Sequence, residues 1–590
     1  MKHLRLLIGL AFSFFLSQTL LAQELNWAYS FTHPDNVREG ATGFSTNGKD
    51  RFVISGRGIK GVNLDVKGQK AGFDSDHSFI SVYDLSAKLI WTIDAADPAD
   101  FKHYVWNAYM NKSGEVFSLG RYSGKLDFDP GTGKKEVQAS PLGSMYIQKF
   151  DASGSFQWVL ALPFPGIPYH VTEQTNGNLL IAGKNSGDTS VTVDGKGTIK
   201  MVNGFFLVEV DGTGKLVNAG SGKANFNSNI NDITVDQNGN IILVGTLDEV
   251  VDFDLGPNEA LDTSHRSIDA FVASYKADFS LNWQKRFGDI QGNVPSWDGA
   301  NGVGVTSQNE IIVAGSFRYT ADFDPDDNPG KVVLTADQSA PSPDGFVLKY
   351  SSNGSLQWVK QLGGEASKAG FNKDVEVRHL ALDDKHIYLT GSLVGIGDFD
   401  PSNDTVNIHS EDGSIALFVG QYDLNGNYES VFLVDDTAAK LADNSVEEAV
   451  GIEVVNGALY AYGTFQKDVD FDPGEQEFIL STDPDGWQHG GDKDLFVARW
   501  DFDPGQASVG EPSGNNDIVL FPNPGNGLIH IKAEQRFFQV CVVDQTGKKL
   551  LDIRSQDVKT IDLRDVAPGL YTVQLVTQTE TVYKNVLVTR

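Results

Sequence analysis

Residues 235–284 decide the fold of this 590-residue chain. They read VDQNGNIILVG at 235–245, VDFDLG at 251–256 and DAFVASYKADFSLNWQ at 269–284. Short apolar or alternating runs are typical of β-strands, and an Asn-Gly pair between two of them is typical of a tight hairpin. The block therefore predicts four short antiparallel strands joined by turns.

The same block recurs along the whole chain. An apolar strand that ends near a glycine appears as RFVISG at 51–56, EVFSLG at 115–120, NLLIAG at 178–183, NIILVG at 240–245, EIIVAG at 310–315, HIYLTG at 386–391 and ALYAYG at 458–463. An Asp-Phe-Asp turn follows five of these strands, and the first and third repeats carry degenerate forms, NLD and TVD. Repeated four-stranded units of about 68 residues predict an all-β, seven-bladed β-propeller.

The two ends of the repeat region are expected to meet. The segment LNWAYSF at 25–31 matches the fourth strand of a repeat, and the last repeat stops at its third strand, FVARWD at 496–501. A closed ring leaves no free sheet edge, whereas an open array has no reason to divide a repeat between its ends. We therefore expect the N-terminal strand to complete the seventh blade.

Composition and the first residues indicate an exported protein. Residues 1–22 have the pattern of a signal peptide, with Lys2 and Arg5 before an apolar run at 6–16 that is too short to span a bilayer. No other segment is a candidate transmembrane span. The formal net charge of −31 disfavours nucleic acid as a partner. The single cysteine, Cys541, excludes an internal disulfide.

A change of composition predicts a second domain. A Gly-, Ser-, Pro- and Asn-rich linker at 505–516 separates the propeller, 23–504, from a strand-rich segment at 517–590. The propeller repeats resemble those of secreted seven-bladed bacterial proteins. The final segment resembles the C-terminal sorting domain of the type IX secretion system of Bacteroidetes in IVLFPNPGNG at 518–527, VVDQTGKKL at 542–550, DLRDVAPGLYTVQL at 562–575 and KNVLVTR at 584–590.

This resemblance implies a small C-terminal β-sandwich that is handled by the type IX secretion machinery. It also implies passage through the periplasm to the outer cell surface or the medium. The alternative is a small β-sandwich that simply packs on the propeller.

The acidic turns are the candidate metal sites. Alternation along a strand places Phe on one face and both Asp side chains on the other, so we expect the Phe rings between the blades. Clustered carboxylates suit calcium, whereas the alternative is that each Asp caps its own turn. The candidate ligands are Asp127, Asp129, Asp252, Asp254, Asp322, Asp324, Asp326, Asp398, Asp400, Asp470 and Asp472.

The function classes left open by the sequence are binding and polysaccharide cleavage. The acidic turns and the longer blade-to-blade links lie on one rim of a propeller, where binding residues are usually found. His103, His170 and Trp297 fall in these links, although single residues of this kind more often pack. No catalytic residue or other cofactor is predicted, and the repeated fourth-strand tryptophans are expected to pack between blades. The sequence favours a non-catalytic module that binds an extracellular protein or glycan; the alternative is a polysaccharide hydrolase or lyase.

Overall fold

The computed structural model describes most of the chain as strands and turns. The described residues are 23–31, 40–58, 63–67, 77–94, 103–290, 297–324, 332–336, 342–363, 374–402, 404–410, 415–436, 448–474, 477–482, 493–502, 519–521, 528–532, 539–543, 548–553, 559–564, 566–567, 569–576 and 581–588. The predicted signal peptide, the predicted linker at 505–516 and Asp326 lie outside them. The chain divides into two compact units, Met1–Pro504 and Gly505–Arg590.

The strands of the first unit are numbered in chain order and grouped into blades. Strand β1 is Gln23–Phe31. Blade I is β2 (Gly40–Thr46), β3 (Arg51–Gly58), β4 (His77–Asp84) and β5 (Leu89–Asp94). Blade II is β6 (His103–Met110), β7 (Val116–Tyr122), β10 (Ser144–Phe150) and β11 (Phe156–Leu162), with the hairpin β8 (Lys125–Asp127) and β9 (Glu136–Gln138). Blade III is β12 (Gly166–Glu173), β13 (Leu179–Asn185), β16 (Gly204–Val210) and β17 (Leu216–Lys223), with the hairpin β14 (Thr189–Val193) and β15 (Gly197–Met201). Blade IV is β18 (Asn229–Val235), β19 (Ile241–Asp252), β20 (Leu261–Tyr275) and β21 (Leu281–Asp289).

The remaining blades follow the same plan. Blade V is β22 (Gly299–Val305), β23 (Ile311–Phe317), β26 (Asp344–Tyr350) and β27 (Leu356–Leu362), with the hairpin β24 (Thr320–Asp322) and β25 (Val333–Thr335); blade VI is β28 (Asp374–Leu382), β29 (His386–Val394), β32 (Ala416–Asp423) and β33 (Tyr428–Asp436), with the hairpin β30 (Ile396–Asp398) and β31 (Asn407–His409). Blade VII is β34 (Glu448–Val455), β35 (Ala458–Phe465) and β38 (Asp494–Phe502), with the hairpin β36 (Asp468–Asp470) and β37 (Ile479–Ser481).

The blades form a closed ring, which confirms the predicted all-β propeller. The first strand of each blade, which we call its inner strand, contacts the inner strands of both neighbouring blades, and β34 contacts β2. Strand β1 pairs antiparallel with β38 and completes blade VII as its fourth strand. Five of the sheets have four strands and two have six, because β24–β25 and β36–β37 extend the outer edges of blades IV and VI.

The repeated glycine of each second strand lies close to two neighbours, the inner strand and the third strand. In every blade it pairs with an aromatic residue of the third strand, as Gly245 does with Phe271. A Cβ on Gly245 would lie 2.9 Å from that ring and 2.0 Å from the carbonyl oxygen of Asn229 on the inner strand. In the other six blades the corresponding carbonyl would lie between 1.8 and 2.8 Å from such a Cβ. The repeated glycine therefore permits the inner and third strands to approach together.

The Asp-Phe-Asp hairpins bury their Phe rings, and four of the five rings pack between neighbouring blades, as predicted. Phe323 is fully buried, with its ring centroid 5.1 Å from Phe346 in its own blade and 5.2 Å from Phe287 in blade IV. The equivalent Phe residues of the other four hairpins, Phe128, Phe253, Phe399 and Phe471, are also buried. The clusters of Phe253, Phe399 and Phe471 also include residues of the preceding blade, whereas that of Phe128 holds residues of blade II alone.

The fourth-strand tryptophans pack across the opposite rim. Trp91, Trp158, Trp283 and Trp358 each cover the left-handed glycine of the next blade's hairpin, respectively Gly154, Gly214, Gly354 and Gly426. Blade III has Asn218 at this position, and there the next hairpin carries the buried Phe279 instead of glycine. Blade VI has Ser430 at this position. The next blade, blade VII, has no hairpin there to cover, because its third and fourth strands come from opposite ends of the unit.

The second unit contains two antiparallel sheets that share one apolar core, which confirms the predicted β-sandwich. One sheet is β39 (Val519–Phe521), β40 (Leu528–Lys532) and β43 (Thr560–Asp562); the other is β42 (Lys549–Ile553), β41 (Gln539–Val543), β44 (Gly569–Val576) and β45 (Thr581–Val588). Ile529 and Ile561 of the first sheet belong to the same cluster as Val540 and Val573 of the second. Cys541 is buried and free.

Candidate binding site on the propeller axis

Every inner strand carries a β-bulge at the same level of the ring. In all seven blades the register with the second strand shifts immediately after the residue that pairs with the repeated glycine. A bulge leaves one residue unpaired and turns its side chain away from the regular pleat. The seven bulged residues are Thr42, Trp106, Tyr169, Asn231, Asn301, Arg378 and Val450. We call this set the bulge ring; its members differ in chemistry although the scaffold beneath them repeats.

Hydrogen bonds between blades hold the bulge ring in place. The Asn231 amide donates to the carbonyl oxygen of Ala300 at 3.1 Å, and the Asn301 amide donates to Val377 O at 2.8 Å. The Asn107 amide donates to the carbonyl oxygen of Tyr169 at 2.7 Å. Because the bulge releases these carbonyl groups from the sheet ladder, the side chains of the preceding blade satisfy them. At Tyr169, Asn231 and Asn301 the bulge ring is therefore held in place by the protein itself.

A cavity of about 860 Å³ lies above the bulge ring, on the face where the inner strands begin. This is the face of the Asp-Phe-Asp hairpins, because the second-to-third-strand turns and the blade-to-blade links share one rim. The cavity walls come mainly from blades III to VII and include Tyr169, Asn229, Asn301, Arg378 and Trp297. A second cavity of about 600 Å³ continues along the axis and shares Tyr169, His170, Asn231, Asn301 and His379 with the first. Both volumes are in the range of small-ligand sites.

Trp297 is the most exposed aromatic residue of the cavity wall, with 60% of its surface accessible. Its backbone forms a parallel bridge with Ile268, and the Asp298 N–H donates to Ile268 O at 2.9 Å. The buried Asp298 carboxylate accepts N–H bonds from Asp289 at 2.9 Å and from Arg318 at 2.8 Å. Burial raises the pKa of Asp298 to about 7. These contacts anchor the backbone at Trp297, whose exposed side chain lines the cavity.

The charges of the cavity wall are paired with one another. Arg378 donates to Glu448 of blade VII and, at 3.0 Å, to Glu376 on its own strand. Arg318 lies 4.0 Å from the other oxygen of Glu376. The positive charges of two arginines are therefore balanced by the negative charges of two glutamates at the mouth of the cavity.

A group of titratable side chains lies deeper on the axis. His170 Nδ1 is 3.8 Å from Asp232 Oδ1, and Asp232 also accepts an N–H bond from Val303 of the next blade at 2.9 Å. Burial raises the pKa values of Asp232 and Glu453 to about 7, and it lowers that of His170 to about 3 and that of His379 to about 4. Each group thus favours its neutral form over the charged one more than it would in water.

The three link residues singled out in the sequence have different places. Trp297 and His170 line the axial cavities. His103 is buried at the start of β6, with its ring centroid 4.9 Å from that of Tyr146, and therefore packs. The bulge ring was not predicted from the sequence. The signal that could have found it is the change of residue type at this one position from repeat to repeat.

The acidic turns form a repeated hydrogen-bond pattern. The first Asp of a turn accepts the N–H groups of residues two and eight positions later, as Asp470 does from Asp472 at 3.0 Å and Phe478 at 2.8 Å. The same two bonds are made by Asp127, Asp252 and Asp398, and Asp322 makes the first of them. The second Asp caps the next turn in four copies, those of Asp129, Asp254, Asp400 and Asp472. Within the described ranges, no group of three His, Cys, Asp or Glu side chains is placed to hold a metal ion.

Comparison with known proteins defines the second unit. Residues 519–589 match the family described as secretion system C-terminal sorting domain. The chain is therefore a β-propeller protein with a type IX sorting domain, and its destination is the cell surface or the medium, as predicted. The part of the chain that the structure describes has no helix long and apolar enough to cross a membrane.

Similarities of the whole chain are distant. No curated protein matches it. A catalytically inactive virginiamycin B lyase from Staphylococcus aureus is 8% identical, with a TM-score of 0.36 over 80% of this chain and 99% of the lyase. An apocarotenoid oxygenase variant from Synechocystis is 12% identical (TM-score 0.29; 81% and 92% covered), and a protein of unknown function from Bacteroides caccae is 12% identical (TM-score 0.21; 53% and 94% covered). Similarities this distant carry no argument about function.

Proposed function

We propose that this protein is an exported, non-catalytic binding module that holds an extracellular protein or glycan at the axial cavity on the hairpin face. The observation that carries the proposal is the bulge ring. Seven equivalent backbone positions present seven side chains, of which only the two asparagines are alike; five of them line the axial cavity, and Thr42 and Trp106 line the second cavity below it. A repeat selected only for stability has no need of this variation, whereas recognition of an asymmetric ligand requires it.

The mutual pairing of the charged groups supports binding over catalysis. Arg378 is held between Glu376 and Glu448, so neither carboxylate is placed as a free acid or base at the cavity mouth. Pre-ordered side chains reduce the entropy lost when a ligand binds.

Binding is tested with the purified protein on a glycan array and, in parallel, against outer-surface proteins immobilised from the same cells. We expect a saturable ligand whose affinity falls at least about tenfold in Asn301→Ala, because the variant removes a bulge-ring side chain and its bond to Val377. The matched control is Asn225→Ala, on the rim but outside the cavity wall. Equal affinity of both variants would place the ligand elsewhere and contradict the proposal.

Catalysis on a polysaccharide is the second candidate, and the deeper titratable group favours it. His170 and Asp232 are 3.8 Å apart on the axis, and each is about one-third exposed to the channel. The Asp232 carboxyl group, with its pKa raised to about 7 by burial, is a candidate general acid or base for hydrolysis or elimination, and the neutral imidazole of His170 lies beside it. The same glycans are therefore incubated with the protein, and product formation that is lost in His170→Ala would rank this function above binding.

A further inference from the structure

The axial cavity has the surface chemistry of a site for uncharged sugars. On the basis of the proposed binding function, we propose that the ligand of this cavity is an uncharged oligosaccharide. One of its sugar rings stacks on Trp297, and the bulge ring binds the hydroxyl groups of the sugar. Three properties of the wall support this assignment: an exposed indole on an anchored backbone, balanced charge, and amide and hydroxyl groups that both donate and accept.

The indole of Trp297 is an exposed aromatic surface on the cavity wall. A large aromatic ring that is 60% exposed is costly in water, and such surfaces usually mark binding sites. The backbone beneath it is tied to Ile268, and Asp298 holds the adjoining segment to Asp289 and Arg318. The flat, apolar face of a sugar ring covers an indole face while its hydroxyl groups point to the sides.

Charge balance argues against an ionic ligand. The charged residues that line the cavity are Arg318, Arg378, Glu376, Glu448 and Asp298, so the wall has no surplus cation among its described residues for an acidic sugar. Lys493, which lies outside the wall, is 4.0 Å from Glu448. The chain as a whole carries a net charge of −31, which repels anionic polymers before they reach the cavity.

The remaining wall suits hydroxyl groups. Asn229, Asn231, Asn301, Thr246 and Ser316 contribute amides and hydroxyls around the same cavity. These groups can donate and accept hydrogen bonds, as sugar hydroxyl groups do. A protein ligand would bury roughly 800 Å² of each partner, so it would extend far beyond this concave wall.

The experiment uses the purified full chain and calorimetric titration with defined hexasaccharides. The uncharged probes are those of glucose, mannose, xylose and N-acetylglucosamine, and the anionic probe is that of galacturonic acid. We expect at least one uncharged probe to bind with an affinity that changes less than about twofold between roughly 50 and 500 mM salt. Trp297→Ala should weaken that binding at least about tenfold, Trp297→Phe should weaken it less, and Phe226→Ala should leave it unchanged. Phe226 is the matched control because it is an exposed rim aromatic, 86% accessible, outside the cavity wall.

Four outcomes would overturn the assignment. Salt-sensitive binding of the galacturonic acid probe alone, or binding of a protein alone that Asn301→Ala weakens, would reject the uncharged sugar but keep the proposed binding function. Binding of an uncharged probe that Trp297→Ala does not weaken would reject the site. No binding of any glycan or protein would reject both the assignment and the proposed function.

Discussion

Replacement of Gly245 by alanine tests the link between the repeated glycine and the bulge ring. The new Cβ would lie 2.0 Å from the carbonyl oxygen of Asn229 and 2.9 Å from a ring carbon of Phe271. Neither neighbour can withdraw easily: the carbonyl belongs to the inner strand just before the bulge at Asn231, and Phe271 is fully buried against Phe253. Overpacking with a flexible neighbour costs about 1–3 kcal/mol, so a clash with backbone should cost at least about 3 kcal/mol in the free energy of unfolding.

The measurement is urea unfolding followed by tryptophan fluorescence, with Gly187→Ala as the control. A Cβ added to Gly187 would meet nothing within 4 Å, and the backbone there is not left-handed, so this substitution should change stability by less than about 0.5 kcal/mol. If Gly245→Ala unfolds at the same urea concentration as Gly187→Ala, the glycine is not needed for the close approach of the inner strand, and the reasoning is wrong.

Three further results are expected from the same packing and hydrogen bonds. Phe471→Ala should cost about 3–5 kcal/mol in urea unfolding because its ring is fully buried, whereas Phe226→Ala should cost almost nothing. Burial lowers the pKa of His103 to about 3, below its unfolded value of about 6.5. The stability that depends on neutral His103 is therefore complete above about pH 6.5 and is lost as the pH falls towards 3. Between about pH 6.5 and 4.5, the free energy of unfolding of His103→Phe should fall by about 2–3 kcal/mol less than that of the unchanged protein. Asp470→Ala should cost about 1–2 kcal/mol and Asp470→Asn less, since Asn keeps an acceptor for the two N–H groups. Calcium binding by the turns stays a prediction: melting curves that are identical with calcium and with chelator would remove it.

The sequence was sufficient for the scaffold because each blade repeats its own pattern. Period-two strands, the strand-ending glycine and the buried Phe of the acidic turn all recur at similar spacing, so each copy supports the others. The fourth-strand tryptophans were likewise predicted to pack, although their partners, such as Gly214 under Trp158, lie in the next blade and become visible only in the structure.

The binding site could not be read in the same way, because repetition is what it lacks. Thr42, Trp106 and Arg378 share a backbone position but no chemical property, so no residue pattern marks them. Their position depends on a register shift between two strands, which is a property of pairing. Trp297 was noticed as a link residue, but its exposure depends on the pairing of Ile268 in another blade.

The seam of the ring sets an order of events for a chain made from its N-terminus. Gln23 pairs with Phe502, so the leading strand must wait, unpaired, until the whole repeat region has been synthesised. A chain truncated before residue 494 lacks β38, the strand with which β1 pairs. Both β1 and the outer edge of the incomplete seventh blade then have unpaired backbone groups, which can pair with another chain. The junction therefore acts as a test of length, since only chains that extend through Phe502 can close the ring and cover its last strand.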